Sequence, residues 1–278
     1  MQIAREKSEQ RQAHGRKMRA RNDQPKSMMD YAQNRSEQTQ NTLSIRGERL
    51  LSDAEKALKT AKENIEKSLE IKIELPATQV PAGKIILELA DVNFAYTTKP
   101  LLKDFSLTII GPERIAFVGS NGAGKTTLVK IILGEIIPQS GKVKLGATRV
   151  HYLDQQVGIL HATESILENF QRFNPTLPET IVRTQLARFL FRTDDALKKI
   201  AQLSGGEKLR AALACVLLAS EPPQLLILDE PTNHLDLASI ISLESALQCY
   251  QGALIVISHD QKFIEKIGVE RVIYTARI

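Results

Sequence analysis

Gly119-Ser120-Asn121-Gly122-Ala123-Gly124-Lys125-Thr126 is a complete G-x-x-x-x-G-K-S/T pattern, and the rest of the chain is read outward from it. Such a loop wraps phosphate oxygens in backbone N–H groups, while its lysine neutralises their charge. It needs a strand before it and a helix after it, so that the helix N-terminus aims its free N–H groups and positive dipole end at the anion. Both are present. Arg114 to Val118 is an apolar, β-branched run of strand type, and Thr127 to Leu133 is an apolar helical stretch.

The chain has 278 residues, enough for one large α/β domain with an accessory element. No apolar run reaches the roughly 18 residues of a membrane span, and the charged N-terminus carries no secretory-type apolar segment. Cys215 and Cys249 stand apart in apolar helical surroundings and read as buried, reduced thiols, which points to the cytoplasm. The formal net charge of +5 is concentrated at one end. Arg5, Lys7, Arg11, Arg16, Lys17, Arg19 and Arg21 face only Glu6 and Glu9 among residues 1–22, so this segment carries the whole excess. Such a concentration suits either an anionic partner, above all nucleic acid, or a solvated helix.

Residues 1–75 differ in kind from the remainder of the chain. They are rich in Gln, Glu, Lys, Arg, Ala and Ser. Asn22-Asp23-Gln24-Pro25 reads as a break, followed by a helical piece from Ser27 to about Gln38. Leu50, Leu51, Ala54, Leu58, Ala61, Ile65 and Leu69 then recur at steps of three and four within a helix expected from about Leu43 to Ile71. That helix would be roughly 40 Å long. Its stripe is wide enough to cover a partner helix and too narrow to enclose a core, so the region is predicted to be a charged helical arm. Residues 76–83, with Pro76, Pro81 and Gly83, read as a linker, and the second domain is expected over 84–278.

In that domain Ile85–Leu89 and Val92–Tyr96 read as two early strands. Leu107–Ile110, Gly141–Leu145, Arg149–Leu153, Leu225–Leu228, Ala253–Ile257 and Arg271–Tyr274 are of strand type as well. A mainly helical stretch, about 157–222, interrupts them. Strands alternating with helices around a phosphate loop predict a mostly parallel α/β core.

Leu225-Leu226-Ile227-Leu228-Asp229-Glu230 is an apolar strand that ends in two acids. Such a strand is expected beside the phosphate-loop strand, with Asp229 and the Thr126 hydroxyl sharing a Mg²⁺ ion. Glu230 would point elsewhere and act on water. Leu203-Ser204-Gly205-Gly206-Glu207 precedes an apolar helical run, so Ser204, Gly205 and Gly206 offer a second set of N–H donors suited to anions.

With these stations in order, the chain resembles an ATP-binding cassette, a P-loop NTPase fold with a mostly parallel core sheet, an antiparallel β part and a helical subdomain. The resemblance implies ATP and Mg²⁺ as ligands and an ATPase reaction. It implies that Gln155 (or its neighbour Gln156) senses metal and attacking water, and that His259 in Ile257-Ser258-His259-Asp260 contacts the terminal phosphate. Asp236 matches a loop aspartate of the family, and Tyr96 stands where an aromatic ring lies under adenine. Two cassettes are expected to face each other with ATP between the Lys125 loop of one and Ser204-Gly205-Gly206 of the other.

Pro231-Thr232-Asn233-His234-Leu235-Asp236, Glu207-Lys208 after the glycines, and the preceding charged arm resemble the ABC-F branch. That resemblance implies cytoplasmic proteins with two cassettes, joined by an arm that reaches ribosomal RNA and tRNA, and action on the ribosome. Gln261 departs from the arginine usual there. One cassette is present, so the sequence reads as the arm with the C-terminal half of a longer protein. The alternative is the ATPase subunit of a membrane transporter, which leaves the arm unexplained.

Overall fold

In the computed structural model, the residues described are 75–275 apart from 79, 121, 155, 156 and 234, together with residue 52. Beyond residues 52 and 75, the arm expected over 1–75 therefore lies outside them. So do the loop residues Asn121, Gln155 and Gln156.

Among the described residues the architecture is mixed α/β with two sheets. Strands β1 (Ile85–Phe94), β2 (Leu102–Ile110) and β4 (Ser140–Leu145) form an antiparallel sheet in the order β2-β1-β4. Strands β3 (Arg114–Val118), β5 (Val150–Leu153), β6 (Leu225–Asp229), β7 (Ala253–Ile257) and β8 (Arg271–Tyr274) form a second sheet in the order β5-β6-β7-β3-β8. Every pair in the second sheet is parallel. Helix α1 (Lys125–Ile132) follows β3. Helices α2 (Ile166–Phe173), α3 (Glu179–Arg188) and α4 (Gly205–Leu217) stand between β5 and β6 in sequence. Helix α5 (Leu237–Cys249) joins β6 to β7, and α6 (Gln261–Lys266) joins β7 to β8.

The apolar runs of β6 and β7 are unbroken because both faces of the parallel sheet are covered, so alternation gives no polar side. Leu226, Leu228, Leu254 and Val256 pack with Phe170 and the Ala211–Leu217 run of α4. Leu225, Ile227, Ile255 and Ile257 look the other way, with Leu128, Val129, Ile131 and Ile132 of α1 and the inner face of the antiparallel sheet.

The two early strands expected at 85–96 are one. Strand β1 runs through residues 90 and 91 with a register shift against β2 between Leu89 and Val92, and Asp91 adopts φ 51°. Ser106 Oγ accepts a bond from the Asp91 N–H at 2.9 Å, so the displaced amide is satisfied across the sheet. This is a β-bulge, which lets a polar residue interrupt the apolar alternation without ending the strand. Strand β2 likewise begins at Leu102, five residues ahead of its expected start at Leu107. Of the cysteines expected to be buried, Cys215 is, and burial pushes its thiol up to about 12. Cys249, in the last turn of α5, is exposed. Among the described residues no helix is long and apolar enough to cross a membrane.

Arg114 ties the helical connections to the sheet edge. Its guanidinium donates to the carbonyls of Ile267, Tyr250 (2.5 Å) and Gln248 (3.4 Å), at the C-terminal ends of α5 and α6. Those carbonyls carry the negative ends of the helix dipoles, so a planar cation with several donors suits them. Desolvation lowers the Arg114 pKa from its ordinary value, which marks how enclosed the group is. Replacing it by Met keeps the stem but removes charge-assisted bonds, and should cost about 2–3 kcal/mol. Chemical denaturation should show this loss, with Arg114→Lys recovering less than half because one ammonium cannot reproduce the fork.

Candidate functional site

The parallel pairing brings the C-terminal ends of β3, β6 and β7 to one edge of the sheet. The turn after β3 starts at Gly119, where a Cβ would lie 1.8 Å from Thr275 Oγ1, so a larger residue would force that hydroxyl to move. Gly124 sits at the N-cap of α1 with φ 88°, and no side chain caps the helix. The free N–H groups of the first turn of α1 therefore stay available to a ligand.

Lys125 is 8% exposed, and its ammonium donates to the carbonyls of Gly119 and Ser120 (the latter at 3.3 Å). It also lies 3.2 Å from His259 Nε2. The same His259 nitrogen is 3.2 Å from Glu230 Oε1, so lysine, imidazole and carboxylate form one chain of contacts. Glu230 holds φ 48°, and its N–H donates to Ile257 O at 2.8 Å. A left-handed backbone at a non-glycine residue costs about 1–3 kcal/mol and persists where the surroundings impose it. It turns the Glu230 carboxylate away from the strand direction and toward His259.

Thr126 Oγ1 donates to Asp229 Oδ2 at 3.4 Å. This contact does not come from neighbouring strands: the expectation that the Asp229 strand lies beside the phosphate-loop strand fails, because β7 stands between β6 and β3. The four-residue register of β3 with β7 and the five-residue register of β7 with β6 carry the alignment across the intervening strand. Asp229 Oδ2 also accepts from Tyr152 OH at 3.1 Å. Burial and the adjacent carboxylate raise the Tyr152 pKa well above the usual phenol range, so its hydroxyl stays a donor.

A cleft of about 530 Å³ is lined by Gly122 to Thr127, Asp229, Glu230, Leu101 and Tyr96. Tyr96 is 65% exposed, its ring set edge-on to Phe94 at 4.9 Å and its hydroxyl 3.3 Å from Thr127 Oγ1. The cleft volume falls in the range of small-molecule sites. Its chemistry is that of an anion holder with an oxygen-rich end. Lys125 and the α1 N-terminus supply positive potential, while the Thr126 hydroxyl and Asp229 carboxylate are hard oxygen donors that fit Mg²⁺.

Ser204, Gly205, Gly206 and Asp236 do not line this cleft. Ser204 N-caps α4 in a capping box: its Oγ accepts from Glu207 N–H at 3.3 Å, and its own N–H donates to Glu207 Oε2 at 2.8 Å. A Cβ on Gly205 would meet open space, whereas one on Gly206 would lie 3.0 Å from Leu235. Asp236 N-caps α5 by accepting from the Ser239 N–H at 2.7 Å; the Ser239 hydroxyl first, and then this N–H, hold its carboxyl below the usual range. Sequence reasoning placed Tyr152 on a strand and missed its contact with Asp229. The signal lies in the β5–β6 register, which no local pattern contains.

Fold and cleft together define a nucleotide-binding cassette of the P-loop class. The family model described as ABC transporter matches residues 102–233. A Uup-like ATP-binding protein of Haemophilus influenzae is 40% identical over 224 residues, covering 77% of this chain and 48% of that protein. The ATP-binding protein YdiF of Bacillus subtilis is 42% identical over 189 residues, covering 67% of this chain and 29% of its own length. ABC transporter F family member 5 of Arabidopsis thaliana is 38% identical over 230 residues, covering 80% and 33%. A solved ABC transporter of the metal-chelate type, in an inward-facing conformation, shares the fold at 22% identity. Its TM-score is 0.54, over 66% of this chain and 76% of that one. The chain carries an ATP-binding cassette domain and is similar in sequence to proteins of the ABC-F family. It spans about half the length of the first of these relatives and about a third of the other two.

Two outcomes test the local geometry. Gly124→Ala places a Cβ 2.9 Å from Leu101 Cγ at a backbone with φ 88°. It should lower stability by about 1–3 kcal/mol, and adding Leu101→Ala should relieve the steric part while leaving the backbone strain. Asp236→Ala should cost about 1 kcal/mol at neutral pH through loss of the helix cap. The folded carboxyl lies below its ordinary 3.8. The charged cap therefore stabilises above pH 3.8, and the contribution fades as pH falls through the lower folded value. Wild type and variant should converge in a thermal-unfolding series taken down to strongly acid pH.

Proposed function

We propose that this chain binds ATP with Mg²⁺ in the cleft beside α1, hydrolyses it against a second cassette, and uses the resulting closure and opening to act on the ribosome. The observation that carries the reading is the meeting, at one sheet edge, of Lys125, Thr126, Asp229, Glu230 and His259.

Phosphoryl transfer needs positioning and charge neutralisation more than covalent help. The backbone N–H groups of Gly119 to Thr127, including Ser120, Asn121, Gly122, Ala123 and Gly124, cradle the phosphates, with the Lys125 ammonium against their charge. Tyr96 offers its flat face to the base. Thr126 and Asp229, with Gln155 near the attacking water, would hold Mg²⁺, which supplies charge neutralisation at the phosphate oxygens. Glu230 orients a water molecule and takes its proton, and His259 lies between that carboxylate and Lys125. Ser204, Gly205, Gly206 and Asp236 serve the partner cassette, in keeping with their position away from this chain's own cleft. Closure is then a nucleotide-driven shift between two arrangements.

The basic segment at residues 1–22 supports a polyanionic target, and the sequence resemblance to ABC-F proteins makes ribosomal RNA and tRNA the proposed target. A transporter subunit is the weaker reading, since the transporter neighbour shares fold alone at 22% identity.

The test is carried out on the chain together with the second cassette proposed for it. Glu230→Gln should lower ATP hydrolysis at least about a hundredfold while keeping ATP binding, the size expected for loss of a general base. It should also strengthen co-sedimentation with ribosomes. Neutralising Arg16, Lys17, Arg19 and Arg21 should weaken that co-sedimentation and flatten its salt dependence. Sedimentation indifferent to ATP, to Glu230→Gln and to the arm charges defeats the ribosome assignment. An unchanged hydrolysis rate in Glu230→Gln defeats the assignment of the base.

A further inference from the structure

We infer that Tyr152 is a positioning residue whose hydroxyl orients the Asp229 carboxylate for the metal that accompanies the nucleotide. The inference rests on the nucleotide reading of the cleft.

Strand β5 pairs with β6 in parallel register, Tyr152 opposite Ile227 and Leu153 opposite Leu228. Alternation then puts Val150, Tyr152, Leu225, Ile227 and Asp229 on one face of the sheet, the face packed against α1. Leu153, Leu226 and Leu228 take the other face, under α4. A side chain at position 152 thus starts two residues short of Asp229 on the neighbouring strand, and the length of a tyrosine covers that offset. Its hydroxyl ends 3.1 Å from Asp229 Oδ2.

The same oxygen accepts from Thr126 Oγ1 at 3.4 Å. Two donors from opposite sides of Asp229 thereby converge on one oxygen and set the rotation of the carboxylate about its terminal torsion. Terminal carboxylate torsions are soft, so without such contacts the plane would be free to swing. A hydrogen bond to a ligand carboxylate is the usual way a protein fixes ligand direction from behind. Phenylalanine would fill the same apolar slot, so packing alone does not require a hydroxyl at position 152.

The experiment compares the chain with its Tyr152→Phe variant, using Mn²⁺ as the metal and a non-hydrolysable ATP analogue as nucleotide. Bound Mn²⁺ is read by electron paramagnetic resonance, and analogue affinity is measured with metal and again in EDTA. We expect Tyr152→Phe to weaken Mn²⁺ retention in the ternary complex about tenfold, at the low end for a residue behind a metal ligand. The metal-free affinity and the thermal midpoint without ligand should stay within error of wild type. Asp229→Asn, measured alongside, should weaken the metal further.

Equal Mn²⁺ retention in Tyr152→Phe and wild type overturns the inference while the cleft reading stands. An equal loss with and without metal also overturns it, because it marks a packing role. If wild type itself holds no Mn²⁺ with the analogue, the cleft reading and this inference fall together.

Discussion

The cleft exists because one parallel sheet presents its carboxyl-terminal strand ends on a single edge, with β7 spacing β6 from β3. Ligands of open α/β sheets gather at such edges, where loops leave and helix N-termini begin. Here the edge supplies a glycine turn and helix N-terminus from β3, an imidazole from β7 and two carboxylates from β6. A slip of one residue of β6 against its neighbours would send Asp229 to the α4 side and Leu228 into the cleft. The 3.4 Å contact between Thr126 and Asp229 is thus a product of two strand registers.

That geometry also settles the charges. Lys125 is nearly buried, and a buried ammonium is costly unless its donors are used. The carbonyls of Gly119 and Ser120 accept from those donors, the His259 ring lies 3.2 Å away, and Glu230 brings a negative charge one contact further on. An anion entering at the helix N-terminus would compete for the same ammonium, so phosphate, lysine, histidine and glutamate are electrically connected. The left-handed backbone at Glu230 is stabilised by the Ile257 carbonyl on the next strand.

The antiparallel sheet serves the site from the side. It covers the α1 face of the core, and the end of β1 delivers Tyr96 to the cleft mouth. The bulge at residues 90 and 91 keeps β1 continuous while Gly141 of β4 passes close: a Cβ on Gly141 would sit 2.4 Å from the Asp91 carbonyl. Position just past the end of this strand, rather than a motif, decides where the Tyr96 ring stands.

Local patterns determined a great deal. The phosphate loop between an apolar strand and a helix, the strand ending in Asp229 and Glu230, the capped helix after Ser204 and the helical character between β5 and β6 were all legible. Each depends on residues a few positions apart, and their physics is local: caps, turns, periodic burial. Tertiary structure alone decided the strand order that separates β6 from β3, the joining of 85–94 into one bulged strand and the exposure of Cys249. It alone brought the Tyr152 hydroxyl to Asp229. These depend on which strands pair and in what register, and on which helix covers each face of a sheet. Both faces of the parallel sheet are apolar, so its strands carry no polar side to mark their neighbours. Only simultaneous packing against α1 and α4 selects one arrangement.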